Sequence, residues 1–294
     1  MLTAILQTSF YVAAVVSGLL VADSVAGVWY RTNTSAQLHI TAGCARVDQL
    51  VVIFPGFAMP GEMVSMAFAP LLGSVEAMAV VQYAERGIDM DDICCQLVSE
   101  IDRLRPMRLR VYGASMGGMC AADFLDRYCR KTRRVNDVTL ILDTSPSGIY
   151  DIRLPRTCIP AWYRGGPLSS LLWRLWCQFY RFAPSEPGVD RQVVTIAHRA
   201  FGSTGMPTLT SQAHYIRSFS MHHREKGGAF SGRTVYLRGN PSGGDPVIAI
   251  DLAIAGWRSA LPNLQLAEFK ERLDIWHVPI IERPRETLKM ILTV

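Results

Sequence analysis

One serine of this chain lies in a sequence context that favours nucleophilic catalysis. Ser115 is the centre of Gly113-Ala114-Ser115-Met116-Gly117, and the apolar run 109–112 directly precedes it. A serine hydroxyl is a weak nucleophile unless it is exposed, held still and given a base. A sharp turn from a strand into a helix would expose and hold it, because flanking glycines let the backbone adopt a strained conformation. We therefore predict that Ser115 is a nucleophile.

An acid and a base follow along the chain in the order that this geometry requires, which is serine, then acid, then histidine. Asp245 comes after the strand-like run 234–237, and His277 comes after the apolar stretch 264–269 near the C-terminus. His277 is the predicted general base, which later donates a proton to the leaving group. Asp245 would orient His277 and stabilise its charged form.

Other acidic and histidine residues fit these roles less well. Asp143 is the alternative acid, since it also ends a predicted strand. Asp274 is close to His277 in sequence, but adjacency along a loop does not give the required side-on hydrogen bond. His222 and His223 form a possible metal pair, yet no nearby cysteine or carboxylate has ligand spacing. We therefore expect no metal and no cofactor.

Predicted strands and helices alternate on both sides of Ser115, which indicates a parallel sheet with helices on both faces. The run 49–54 is continuously apolar, as expected for a strand buried on both faces. The other predicted strands are 35–40, 77–83, 108–112, 138–142, 234–237 and 264–269. The predicted helices among them are 59–72, 89–104 and 116–128. The sequence therefore predicts the α/β fold class.

The alternation stops over residues 149–230, where proline, glycine and aromatic residues accumulate and no core strand is evident. We interpret this interval as an insertion. Its segment 168–182 predicts a helix with a broad apolar face and one polar stripe. Three interpretations stay open for this helix: packing on the core, a lid over an apolar acyl pocket, or contact with a membrane surface.

Four segments together resemble the motifs of the α/β-hydrolases. Residues 113–118 are similar to the family's nucleophile elbow, residues 244–247 to its acid loop and residues 54–57 to its oxyanion loop. His277, followed by Glu282, Pro284 and a terminal helix, is similar to its histidine loop. The resemblance extends from about Val51 to the C-terminus. It implies a mostly parallel central sheet flanked by helices, with a helical cap at the insertion.

The resemblance also implies an oxyanion hole made of two backbone N–H groups, those of Phe57 and Met116. The chain has Pro55-Gly56 where the family commonly has His-Gly. The N–H of Phe57 survives this departure. The resemblance therefore does not predict which hydrogen bonds hold this loop in place.

The predicted organisation has four parts. Residues 1–32 are an N-terminal apolar membrane or signal segment, and residues 33–148 are the first part of the hydrolase core. Residues 149–230 are the helical cap or lid insertion, and residues 231–294 complete the core.

The N-terminal segment is apolar over residues 10–30 except for Ser17, Asp23 and Ser24. About 20 apolar residues span a bilayer as a helix, and Asp23 lies nearer one end than the centre. A cleaved signal is one alternative, although no basic residue precedes the run. A helix packed on the domain is another. We predict a membrane-associated protein, and Arg31, directly after the apolar run, favours a catalytic domain on the cytoplasmic side.

Composition limits the remaining classes of function. A length of 294 residues and a hydrophobic content of 49% are ample for a buried core. The net charge is +5, but the basic residues are dispersed, so we expect no nucleic-acid partner. The seven cysteines are odd in number and scattered, which argues against a disulfide framework and favours buried thiols in a reduced compartment.

These observations predict a serine hydrolase that cleaves a carboxylic ester, or a thioester, of an apolar acyl group through an acyl-enzyme on Ser115. Its partner would be a small-molecule or lipid-like ester, and a membrane would hold the N-terminal segment. Two alternatives stay open. One is a non-catalytic, membrane-associated binding protein on the same fold, and the other is an acyltransferase that uses the same three residues.

Overall fold

The computed structural model describes most of the chain, including every segment around Ser115. The described residues are 2–29, 35–42, 47–73, 76–85, 87–131, 135–153, 166–179, 204–219, 230–238, 245, 247–268, 277 and 284–294.

The described residues form a seven-stranded, mostly parallel sheet. Its strands are β1 (Gln37–Ala42), β2 (Gln49–Phe54), β3 (Glu76–Gln82), β4 (Arg108–Ala114), β5 (Asp137–Asp143), β6 (Arg233–Arg238) and β7 (Leu264–Glu268). The strand order is β1-β3-β2-β4-β5-β6-β7. Strand β1 is antiparallel to β3, and the other neighbouring pairs are parallel. The predicted α/β class and its mostly parallel sheet are confirmed.

Eight α-helices are present in the described part of the chain. They are α1 (Leu2–Trp29), α2 (Gly61–Phe68), α3 (Met90–Leu104), α4 (Met116–Lys131), α5 (Pro167–Phe179), α6 (Met206–Ser218), α7 (Ile250–Ala260) and α8 (Pro284–Thr293). Helix α2 is shorter than the predicted 59–72, because a 3₁₀ turn that contains Pro70 follows it at Ala69–Leu71. Helix α3 begins where predicted, and the Asp89 side chain caps it by accepting from the N–H groups of Asp91 and Asp92.

The central strands of the sheet are buried on both faces. Along β2, Leu50, Val52 and Phe54 pack on one face with residues of α3, α4 and α7. Val51 and Ile53 pack on the opposite face with residues of α2 and α8. Two covered faces explain why the central strands are continuous apolar runs instead of alternating apolar and polar residues.

The insertion interval 149–230 contributes helices α5 and α6 to the described structure. Helix α5 packs against α1 and α6, and α6 also packs against α4. Four leucines on α5 are exposed, and they are Leu168, Leu171, Leu172 and Leu175. These four side chains therefore do not pack in the core. The interpretation of the interval as a cap stays a prediction.

Helix α1 is joined to α5 through one acidic side chain. The carboxylate of Asp23 accepts hydrogen bonds from the N–H groups of Gly166, Leu168 and Ser169, and from the Ser169 hydroxyl. Asp23 is only 6% exposed, whereas the apolar side chains before it in α1 are largely exposed. A carboxylate at a helix N-terminus satisfies N–H groups that have no partner within that helix. This contact gives the acidic residue of an otherwise apolar helix a structural role.

Candidate active site

Ser115 occupies the turn between β4 and α4. Its φ is 50°, a left-handed conformation that non-glycine residues seldom adopt. The N–H of Ser115 donates to the carbonyl of Asp143 at 2.8 Å, and its own carbonyl accepts from Gly118 at 3.0 Å. The strained backbone is therefore held on both sides. Such strain is typical of a strand-to-helix turn that presents a nucleophile.

Two glycines make this turn sterically possible. A Cβ atom on Gly117 would lie 1.9 Å from the carbonyl oxygen of Phe54 in the neighbouring strand β2. A Cβ atom on Gly113 would lie 2.4 Å from the carbonyl oxygen of Gly117. The start of α4 thus passes too close to β2 and β4 for any side chain at these two positions. The sequence predicted that these glycines permit the turn, and the short distances show that a side chain at either position would clash with the backbone.

Three side chains predicted from the sequence lie in one hydrogen-bonded row. The Nε2 atom of His277 is 3.1 Å from the Oγ of Ser115, and its Nδ1 is 2.6 Å from an Oδ of Asp245. The second Asp245 oxygen accepts from the N–H groups of Val247 and Ile248 at 2.7 and 2.8 Å. A proton on Nδ1 would bind the carboxylate and leave Nε2 free to accept the serine proton. The arrangement is chemically able to activate a hydroxyl.

The alternative acid, Asp143, is directed elsewhere. Its carboxylate accepts a hydrogen bond from the Tyr112 hydroxyl. Burial, together with the nearby Asp143 charge, raises the pKa of Tyr112 well above its usual value. The structure therefore places Asp245 and not Asp143 beside His277. The other residues weighed from the sequence, Asp274, His222, His223 and Glu282, lie outside the described residues.

A threonine that the sequence analysis missed holds the main chain of His277. The hydroxyl of Thr144 donates to the His277 carbonyl at 2.9 Å. Thr144 has φ of 43°, and its N–H donates to the carbonyl of Leu237. It follows β5 directly, so its position after a strand was predictable from the sequence. Its contact with His277, 133 residues further along the chain, was not predictable.

The two predicted oxyanion donors flank Ser115. Met116 is the first residue of α4, and Phe57 lies in the loop after β2, the strand paired with β4. A Cβ atom on Gly56 would be 3.6 Å from the Cβ of Ser115, so this loop passes directly against the serine. Among the described residues, the structure shows no protein acceptor for the N–H of either Phe57 or Met116. Both groups are therefore candidates to bind an anion at this position.

The loop that carries Phe57 is held at successive peptide groups. The Tyr83 hydroxyl donates to the carbonyl of Pro55 at 2.9 Å, and the N–H of Met59 donates to the carbonyl of Gly56 at 3.2 Å. Burial raises the pKa of Tyr83 well above its usual value, and the neighbouring Cys120 adds to the effect. The hydroxyl therefore keeps its proton and remains a donor. These bonds hold Pro55 and Gly56, the two residues that stand where the family commonly has His-Gly.

Two more residues missed by the sequence analysis bind Ala58 in the same loop. Ala58 has φ of 62°, its N–H donates to Oε1 of Gln212 at 2.8 Å, and its carbonyl accepts from the Thr204 hydroxyl at 3.1 Å. Gln212 belongs to α6, and Thr204 precedes that helix. Contacts between residues 154 and 146 positions apart leave no local sequence signal.

Two of the described thiols, those of Cys94 and Cys120, are buried and have raised pKa values. Cys94, Cys95, Cys120 and Cys129 form no disulfide, and burial raises the pKa of Cys120 to about 12. Within the part of the chain that the structure describes, no group of three or more His, Cys, Asp or Glu side chains is arranged to hold a metal ion.

Comparison with known proteins gives matches among solved structures only. No family model matches the chain, and no curated protein sequence matches it. The enol-lactonase from Burkholderia xenovorans LB400 superposes with a TM-score of 0.60 at 15% identity, covering 88% of this chain and 96% of its own. A structure from a study of carboxylesterases of the ammonia-oxidizing Thaumarchaeon Nitrososphaera gargenis has a TM-score of 0.58 at 13% identity, covering 89% and 97%.

A third structure, an esterase from Exiguobacterium antarcticum, matches with a TM-score of 0.57 at 14% identity, covering 88% of this chain and 94% of its own. Identities this low establish the fold and not the activity. The sheet order, the strand-to-helix turn at Ser115 and these superpositions together show that the chain has the α/β-hydrolase fold.

Proposed function

We propose that this protein is a serine hydrolase that cleaves a carboxylic ester, or a thioester, through an acyl-enzyme on Ser115. The observation that carries the proposal is the hydrogen-bonded row of Ser115, His277 and Asp245 at the strand-to-helix turn. The esterases and the enol-lactonase among the matching structures support ester hydrolysis as the general reaction.

Acylation begins when Nε2 of His277 accepts the hydroxyl proton as Oγ of Ser115 forms a bond to the ester carbonyl carbon. The carbonyl electron pair moves to the oxygen, and the N–H groups of Phe57 and Met116 stabilise the resulting oxyanion. The intermediate then collapses, and the bond to the leaving oxygen or sulfur breaks. His277 gives its proton to that leaving group, while Asp245 stabilises the charged imidazolium throughout.

Deacylation repeats these steps with water as the nucleophile. His277 accepts a proton from water, whose oxygen attacks the acyl carbon. Collapse of the second tetrahedral intermediate breaks the bond to Oγ, and His277 returns the proton to Ser115. The carboxylic acid leaves, and the hydrogen-bonded row is restored. An alcohol in place of water would make the same site an acyltransferase.

An apolar acyl group is the proposed substrate feature. The exposed leucines of α5 lie on a helix that packs against α6, and α6 contacts the loop beside Ser115 through Gln212. Apolar side chains on a helix connected to the site in this way support ester chains of the same character. Turnover of p-nitrophenyl esters should therefore rise from acetate to longer acyl chains. Preference for acetate would contradict the proposal of an apolar acyl group.

Membrane association through α1 is part of the proposal. The segment Ile5–Gly27 is the single stretch of the described chain that is long and apolar enough to cross a bilayer. The hydrogen bonds from α5 to Asp23 support a helix that stays with the domain instead of being removed as a signal. Mass spectrometry of protein extracted from membranes would test this, since removal of a signal at the candidate processing site Ser24-Val25-Ala26 would leave a chain that begins at Gly27.

Fluorophosphonate labelling of the full-length protein in detergent tests the nucleophile. We expect labelling at Ser115, which peptide mapping would locate, and none in Ser115→Ala. Ser259→Ala is a matched control, because its hydroxyl donates only to Gly256 within α7. Absence of labelling in folded wild-type protein would favour the non-catalytic binding protein. Product analysis with competing alcohols would distinguish hydrolysis from acyl transfer.

A further inference from the structure

The four residues Gly56 to Met59 form a tight turn with an unfavourable residue at its third position. The carbonyl of Gly56 accepts from the N–H of Met59, and the third residue, Ala58, has φ of 62°. A turn with positive φ at this position normally contains glycine or asparagine, because a Cβ atom is strained there. Ala58 therefore needs contacts outside the turn to remain in this conformation.

Both external contacts of Ala58 come from the insertion interval. Gln212 on α6 is 1% exposed and accepts from the N–H of Ala58, and Thr204 donates to the carbonyl of Ala58. The Phe57–Ala58 peptide is thus fixed by Gln212 and the Ala58–Met59 peptide by Thr204. Rotation of the first peptide would relieve the strain at Ala58, remove its N–H from Gln212 and change the backbone of Phe57.

Phe57 is the residue whose N–H would bind the oxyanion. The C=O and N–H of one trans peptide point in opposite directions. The bond from Met59 to the Gly56 carbonyl therefore orients the N–H of Phe57 away from Met59. The two contacts at Ala58 support the shape of this turn, and with it the position of the Phe57 N–H.

We propose that Gln212, assisted by Thr204, is a positioning residue that holds the Phe57 N–H in place for the oxyanion. Helix α6 thereby completes the site from outside the sheet. The inference rests on the proposed ester hydrolysis at Ser115 and assigns one of its requirements to a helix of the insertion. Gln212 bonds to the loop, and no described hydrogen bond joins it to Ser115 or His277, so it acts through the loop.

The test compares Gln212→Met with Ser211→Ala in the full-length protein. Methionine is similar in length but offers no comparable acceptor for the Ala58 N–H. Ser211 is the neighbouring residue of α6, and its hydroxyl donates to the Ala84 carbonyl, away from Ala58. Both variants are assayed on p-nitrophenyl butyrate, with active sites titrated by a fluorophosphonate so that unfolded protein does not count.

We expect kcat per titrated site to fall about 10- to 100-fold in Gln212→Met, with KM changed less than about threefold. Complete removal of an oxyanion donor costs about 10²–10³ in rate, and a misplaced donor should cost less. Inhibition by an aryl trifluoromethyl ketone, whose adduct with Ser115 is an oxyanion, should weaken by the same factor as kcat/KM. A purely structural role would lower the number of titrated sites and leave this affinity unchanged.

A second pair of variants keeps the inference testable if Gln212→Met does not fold. Thr204→Val removes the hydroxyl and should lower kcat, whereas Thr204→Ser keeps the donor and should restore most of it. Wild-type kcat per site in Gln212→Met, or equal kcat in the two Thr204 variants, would overturn the inference. Failure of the proposed function is distinguishable, because the wild-type protein itself would then show neither labelling nor turnover.

Discussion

Thr144 donates a hydrogen bond from its hydroxyl to the main-chain carbonyl of His277 at 2.9 Å. The imidazole ring is held separately, by the Asp245 carboxylate at Nδ1. Backbone and ring of the proposed base are thus fixed by different residues, one after β5 and one after β6. Two attachment points restrict both the position and the rotation of the ring relative to Ser115.

Replacement of Thr144 by valine should lower kcat about tenfold. Valine has the same shape and branching, so the strain at φ of 43° stays while the hydrogen bond is lost. A bond of about 1.4 kcal/mol, within the usual range for a net hydrogen bond, corresponds to this factor if it is needed in the transition state. Steady-state kinetics would measure the change. Thr144→Ser keeps the donor and should remain close to wild type, and an equal loss in both variants would contradict a role for the hydroxyl.

Asparagine at Asp245 and at Asp143 should have different effects. Asp245→Asn keeps acceptors for the N–H groups of Val247 and Ile248 but no longer stabilises an imidazolium, so kcat should fall by about 10³–10⁴. Asp143→Asn changes a group that binds Tyr112, so its kcat per titrated site should stay within about threefold. Comparable losses of kcat in the two variants would contradict the assignment of Asp245 as the acid that orients His277.

Alanine at Gly117 should destabilise the protein severely. The added Cβ would meet the Phe54 carbonyl at 1.9 Å, and neither backbone can move without disturbing the sheet. A cost of about 3 kcal/mol is expected from forced overpacking. Thermal unfolding in detergent would show the lowered midpoint. Gly148→Ala is the control, since nothing lies within 4 Å of its added Cβ, and its φ of −174° suits any residue.

The buried Cys120 predicts a loss of stability at alkaline pH. Burial raises its pKa from the usual value near 9 to about 12 in the folded state. Between these values the unfolded chain releases the thiol proton and the folded protein keeps it, so folding stability falls as the pH rises above about 9. Unfolding midpoints measured from pH 8 to 10.5 should decline less steeply in Cys120→Ala than in the wild type. An unchanged slope in that variant would contradict this account.

Local patterns were sufficient to predict the elements that carry the proposed chemistry. The apolar run of β2, the cap at Asp89 and the glycines around Ser115 act through neighbours in sequence, so their roles were readable without a structure. The boundaries were less predictable. Strand β4 continues to Ala114, beyond the predicted end at residue 112, because Ala114 pairs with Asp143 of β5.

The supporting contacts of the site could not be read from the sequence. Gln212 and Thr204 act on Ala58, and Thr144 acts on His277, across intervals of more than 130 residues. A threonine or glutamine is common in any chain, and only its partner makes it relevant here. The sequence departure at Pro55-Gly56 did indicate that the loop lacked its usual support, although not where a substitute would come from.

The capping of α5 by Asp23 would determine the orientation of the domain relative to a membrane. The part of α1 before Asp23 is long enough to cover about 30 Å, roughly the thickness of the hydrocarbon layer. The carboxylate would then lie at the lipid–water boundary, bonded to the first turn of a helix whose leucines are exposed. A helix joined to the domain in this way is a rigid anchor and not a flexible linker. If the protein acts as proposed, it would keep one height and one tilt above the lipid, so geometry as well as affinity would select which ester groups reach Ser115.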